Sequence, residues 1–156
     1  MFILITKKHL NNMFEISEQY NLDICGPSFT RDSKLSHAIT IHKPNILLTY
    51  TSFVEVNVPL FSKCALHKLM EKLDYSLIGW GIDFLYIFCN GVEKKKSYAI
   101  IHKVICKNPK DNKKPEGREL KKIAKWNQRS KIWKEFAKKH KMPERGPITQ
   151  YKSIYY

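Results

Sequence analysis

The sequence predicts an α/β fold: a sheet with flanking helices and a basic C-terminal helix. Three observations predict it. Strand-like runs, NILLTY at 45–50 and SYAIIHKVIC at 97–106, alternate along the chain with segments whose apolar residues recur at helical spacing. The 156 residues are 43% hydrophobic, which supports one domain with a real core and is short for two. No internal repeat is visible, which sets solenoid architectures aside.

MFILIT at 1–6 reads as a short strand. Leu10, Met13, Phe14 and Ser17 then share one face of a helix from about Lys7 to Tyr20. The segment CGPSFTRDSKLSH is loop chemistry, punctuated by Gly26, Pro27 and Asp32. NILLTY reads as a strand. So does FVEVNV at 53–58, with Phe53, Glu55 and Asn57 on one side and Val54, Val56 and Val58 on the other. Ser62 is placed to cap a helix carrying Ala65, Leu66, Leu69, Met70 and Leu73 at helical spacing. After a Gly-Trp-Gly turn, DFLYIFCNG is either a buried helix from Asp83 to Gly91 or a strand, and periodicity does not decide. NPKDNKKPEG is linker-like, and a basic helix from about Glu116 to Lys141 carries Leu120, Ile123, Ile132, Trp133, Phe136 and Ala137.

Charge divides the chain. Residues 1–92 hold eight basic and eight acidic side chains, whereas 93–156 hold twenty basic and six acidic, so the whole net charge of +14 lies in the C-terminal part. Such a block suits a polyanionic partner or a solvated basic surface, and both readings stand. The basic residues are 24 Lys against 4 Arg, which disfavours nucleic acid, because bidentate reading of bases and phosphates favours Arg. An anionic membrane surface remains as a partner. Cys25, Cys64, Cys89 and Cys106 show no CxxC pair and no zinc-type spacing, and read as reduced thiols. No apolar run approaches the ~20 residues of a membrane span, and the N-terminal charges follow the apolar stretch, the wrong order for a secretory signal. A cytoplasmic location, peripheral at the inner membrane face if the basic block binds lipid, is the expectation.

LDICGPSFTRDSKLSHAIT, then LLTYTSFVEVNVPLFSKCAL, then SLIGWGIDFLY, then AIIHKVI stand in an order that resembles a domain family of unknown function found in bacteria and plants. That family is related to GT-A glycosyltransferases, and its plant members carry a label referring to lysine-ketoglutarate reductase trans-splicing. The resembling motifs cover residues 1 to about 108. The combination is far more specific than a lone GWGxD. The resemblance implies a partial GT-A-like (nucleotide-diphospho-sugar transferase-like) sheet, with 1–108 as the C-terminal half of such a domain, 109–117 a linker and 118–156 a basic helical tail.

In proteins similar to this one an Asp-x-Asp motif holds a divalent metal against the sugar-nucleotide diphosphate, just before the strand that here is Phe2 to Thr6. This sequence contains no Asp-x-Asp. The family's later acid and histidine positions fall on His102 and Asn108, so no metal ligand is assigned. The expectation is no cofactor for this chain alone, and Mn²⁺ or Mg²⁺ with a sugar nucleotide if a complete site is assembled.

The resemblance assigns acceptor-side roles to particular residues. Asp83 is the candidate base for an acceptor hydroxyl, with a helix N-cap as the alternative. Trp80, between Gly79 and Gly81, would stack on a sugar face or serve as a core tryptophan. Glu55 would lie near the cleft or on a solvated strand face, and Ser33 and His37 belong to a loop facing the cleft. Three function classes follow. The first is an acceptor-side portion of a glycosyltransferase-related protein, inactive alone, with a glycan acceptor, a missing N-terminal half or self-association as partners. The second is an active glycosyltransferase when paired with a separately encoded N-terminal half. The third is a basic binding module for anionic membrane or nucleic acid. A half-sheet would expose an edge, so poor solubility or oligomerisation is also expected.

Overall fold

In the computed structural model, which describes residues 5–110 and 122–156, the elements run α1 (Lys7–Gln19), β1 (Ile24–Phe29), a 3-10 turn (Ala38–Thr40), β2 (Ile46–Thr51), β3 (Leu60–Phe61), α2 (Lys63–Met70), α3 (Ile82–Asn90), β4 (Tyr98–Cys106), α4 (Trp126–Lys139) and β5 (Gln150–Tyr155). The strands form one mixed sheet in the order β3-β1-β4-β2-β5. β1 and β4 are parallel at the centre, and β2, β3 and β5 each join antiparallel. The fold is α/β.

Strand side chains alternate between the two faces of a sheet, and here each face has its own core. Cys25, Phe29, Leu48, Ala99 and Ile101 point to one face and pack with Met13 and Ile16 of α1. Ile24 and Tyr98 point to the other and pack with Leu69 of α2, Tyr86 of α3, and Trp133, Phe136 and Ala137 of α4. Fully burying an apolar side chain of this size is worth about 1.5–3 kcal/mol, so both helical layers are held to the sheet chiefly by these stripes.

Helix ends follow local rules. Thr6 caps α1 by accepting from the His9 N–H, and Ser62 caps α2 by accepting from the Ala65 N–H, as expected for Ser62. α1 turns a different face inward from the one its spacing suggests: Met13 and Ile16 are buried, while Leu10 and Phe14 are exposed. The ambiguous DFLYIFCNG is helical. Its N-cap is Gly81, in the left-handed region at φ 84°, and Asp83 lies in the first turn, which corrects the reading of Asp83 as the cap.

Three further expectations differ. Loop chemistry at 25–30 hides β1, which keeps Gly26 because a side chain there would press on Val54 Cγ1 at 3.1 Å. It accommodates Pro27 where the register with β4 shifts, since proline has no N–H to give to a ladder. FVEVNV is not a strand. Thr51 turns the chain there, its hydroxyl donating to the Phe53 carbonyl and accepting from the Phe53 N–H. The alternation of 53–58 is therefore lost, and Phe53, Val54 and Glu55 are all buried. At the C-terminus, residues 150–155, expected within a helical tail, form β5 on the sheet edge beside β2. Residues 1–4 of the expected first strand lie outside the described residues, as do 111–121 of the expected linker and the start of the basic helix. Among the described residues no helix is long and apolar enough to cross a membrane.

Candidate functional site

The Gly-Trp-Gly turn is shaped by backbone and by a distant side chain. Gly79 and Gly81 have φ 69° and 84°, a region where L residues with a Cβ are strained. Gly81 also lies against the indole of Trp133. Trp133 is buried, and its Nε1–H donates to the Glu144 carbonyl at 2.8 Å. The indole of α4 therefore both seats the turn and holds the start of the 144–148 segment. Ser52 fixes the other end of that segment. Its hydroxyl donates to the Pro147 carbonyl at 2.6 Å and accepts from the Thr149 N–H at 2.9 Å.

These elements enclose a cavity of about 660 Å³. His37, Glu55, Gly79, Trp80, Gly81 and Asp83, all singled out from the sequence, line it together. A cavity of this size suits a small organic ligand. Ser33 is not among the lining residues; it is buried, bonded to the Thr30 hydroxyl at 2.8 Å and accepting from the Asn108 N–H at 3.1 Å. Asn108 lines the cavity, and its side-chain amide donates to the Lys34 carbonyl at 3.0 Å. Ser33 and Asn108 thus latch the loop that carries His37 onto the end of β4.

Glu55 and Asp83 form the acidic part of the lining. Asp83 accepts from the Phe84 N–H at 3.1 Å, and Asn57 donates its side-chain amide to Glu55. Burial pushes the Asp83 carboxyl up to about 7; the Phe84 N–H pulls it partly back, and the charge of Glu55 raises it further. A carboxyl poised near neutrality can hold or release a proton at physiological pH. His37 packs edge-on against Phe53, with ring centroids 4.7 Å apart. Burial, and then the positive charge of Arg145, lower its pKa, so it favours the neutral imidazole.

Tyr86 anchors the acidic wall. It is fully buried, and its hydroxyl donates to the Val54 carbonyl, tying the residue before Glu55 to α3. Tyr86→Phe leaves that carbonyl buried and unpaired, and is expected to cost about 1–3 kcal/mol in urea unfolding. An unchanged midpoint would show that the carbonyl finds another donor.

Aromatic and cationic groups complete the lining. Trp80 meets Trp126 edge-on at 5.4 Å between centroids, and Trp126 stays 56% exposed, leaving indole surface open at the mouth. Lys125, Arg129 and Arg145 add positive charge. None of these, nor Trp126, was assigned to a site from the sequence; the signal for them was the confinement of the excess charge to residues 93–156. Trp133 is core, whereas Trp126 is at the cavity.

A divalent metal does not fit this lining. Glu55 already accepts from the side-chain amide of Asn57, and the cations on the same lining oppose a further positive charge. Among the described residues no group of three or more His, Cys, Asp or Glu is placed to hold a metal ion. No family model, curated protein or solved structure matches the chain.

Proposed function

We propose that the cavity is a saccharide acceptor site of a glycosyltransferase-related protein, with Asp83 as the group that takes the acceptor hydroxyl proton. The observation that carries this reading is the convergence of Trp80, Glu55, Asp83 and His37 on one cavity. A flat indole offers area to a sugar ring at little entropic cost, and neighbouring carboxylates accept hydrogen bonds from hydroxyls. A carboxyl shifted to about 7 is suited to accept a proton near neutral pH. The GT-A-like resemblance of the GWGID and FVEVNVPLF motifs supports the same assignment. The donor sugar and its metal are assigned to none of the described residues.

The reading of the Lys-rich surface as a lipid-binding module has less support. Lys131 and Lys134 on α4 lie in exposed ion pairs with Glu135 and Glu144, at 3.9 and 3.6 Å, as expected of a solvated face.

Tryptophan fluorescence tests the acceptor reading. A panel of neutral hexoses and disaccharides is titrated into the full chain and into Trp80→Ala, with melting curves to confirm that the variant folds. Saturable quenching in the wild type that is lost in Trp80→Ala is expected. The absence of saturable binding by any sugar of the panel at millimolar concentration would overturn the proposal.

A further inference from the structure

Lys125, Arg129 and Arg145 all line the cavity. Arg129 Nε is buried and has no hydrogen-bond partner. Burying a guanidinium N–H without an acceptor costs free energy that a bound anion would return.

Their placement is built into the fold. Arg129 is on the first turn of α4, where the Lys125 N–H donates to Gln128 Oε1 at 2.9 Å and the Arg129 N–H donates to the Lys125 carbonyl at 3.1 Å. Arg145 lies on the segment pinned by Trp133 at Glu144 and by Ser52 at Pro147. Positive charge from α4 and from the 144–148 segment therefore shares one lining with Glu55, Asp83 and the two indoles. That lining offers carboxylates for hydroxyls, indole surface for a ring and cations for an anion.

We propose that the ligand of this cavity is an anionic saccharide, a sugar carrying a phosphate that Arg129 and Arg145 hold while its ring lies against Trp80 and Trp126. This rests on the saccharide reading of the same cavity and specifies its substrate class. Guanidinium groups suit phosphate oxygens because they offer several N–H donors in a fixed fork. Lys125 adds a point charge at the rim.

The test is calorimetric titration of the full chain at low salt with glucose 6-phosphate, glucose, inorganic phosphate and uridine diphosphate. Glucose 6-phosphate is expected to bind at least about tenfold tighter than either glucose or phosphate alone. Arg129→Gln and Arg145→Gln are each expected to weaken it by about tenfold, with Arg129→Lys and Arg145→Lys recovering part of the loss. Melting curves accompany each variant. In the wild type, affinity for the sugar phosphate should also fall with added salt while that for glucose does not, a readout that needs no variant.

Equal affinity for glucose and glucose 6-phosphate would overturn the anion assignment and leave the saccharide site standing. Binding of inorganic phosphate with no contribution from the sugar would overturn both. Tighter binding of uridine diphosphate than of glucose 6-phosphate would overturn the assignment of the anion to a sugar, and would place a nucleotide there instead.

Discussion

Gly81→Ala is expected to lower the stability of the protein by about 2–5 kcal/mol, the sum of left-handed strain and overpacking. Two independent costs combine. The residue has φ 84°, where a Cβ is strained. That Cβ would also stand 2.0 Å from Cδ2 of Trp133 and 2.4 Å from its Cε2 and Cε3. The indole has little room to retreat, being 1% exposed, stacked on Phe136 with centroids 5.9 Å apart, and bonded to the Glu144 carbonyl. A loss of this size is a large fraction of the roughly 5–15 kcal/mol that holds a typical domain together. For a chain of this length it corresponds to a drop in melting temperature of about 4–20 °C. Circular dichroism melting is the measurement, and a variant melting within about 2 °C of the parent would mean that the turn and α4 are not packed as described.

Asp83→Asn is expected to act in the opposite direction, making the protein more stable above pH 7. The sign follows from the shift. Asp83 titrates at about 7 when folded against 3.8 as the ordinary value, so the folded state holds a proton that the unfolded chain has already released. The group's stabilising contribution is complete below pH 4 and is lost as pH rises to about 7, beyond which a buried carboxylate must be carried charged. Asparagine never carries that charge. At pH 8 the variant should exceed the parent by on the order of 3 kcal/mol, and near pH 4 the two should converge. Urea unfolding at pH 4, 6 and 8 reads this directly. A variant less stable than the parent at pH 8 would show that the carboxylate is well solvated or paired, and would remove the ground for treating it as a base. The same substitution takes away the proton acceptor assigned to saccharide hydroxyls, so stability and function are expected to part at this residue.

Much of the fold was legible because periodicity and burial agree in its central elements. β2 and β4 follow from short, nearly continuous apolar runs that are buried along their length, α2 from residues that recur at helical spacing, and Ser62 marks a helix start by chemistry alone. Where the sequence misled, tertiary contacts were responsible. Gly26 and Pro27 look like a turn, but β1 needs a residue without a side chain beside Val54 and tolerates proline at a register shift. FVEVNV has the alternation of a strand, yet the Thr51 hydroxyl bends the chain and buries Glu55. β5 is a short edge strand whose Tyr151 and Ile154 pack on the core while Gln150, Lys152 and Tyr155 stay exposed, a pattern hidden within a basic segment that reads as a helical tail.

The site divides in the same way. Trp80, Glu55, Asp83 and His37 were visible as motif residues. Lys125, Arg129 and Arg145 were visible only as an excess of charge, because nothing local in KKIAKWNQRS or PERGP says which cavity they will face. Their position depends on Trp133 meeting Gly81, a contact between residues far apart in the chain.

That contact also has a temporal meaning. The cavity draws on residues 34–57, 79–84 and 125–148, so during synthesis its acidic side and glycine turn emerge long before its cationic side exists. Non-local closures of this kind form late in folding. Until Trp133 arrives, the left-handed turn at Gly81 has no packing partner to stabilise it. The nascent protein is therefore expected to acquire its fold and its ligand site in the same step.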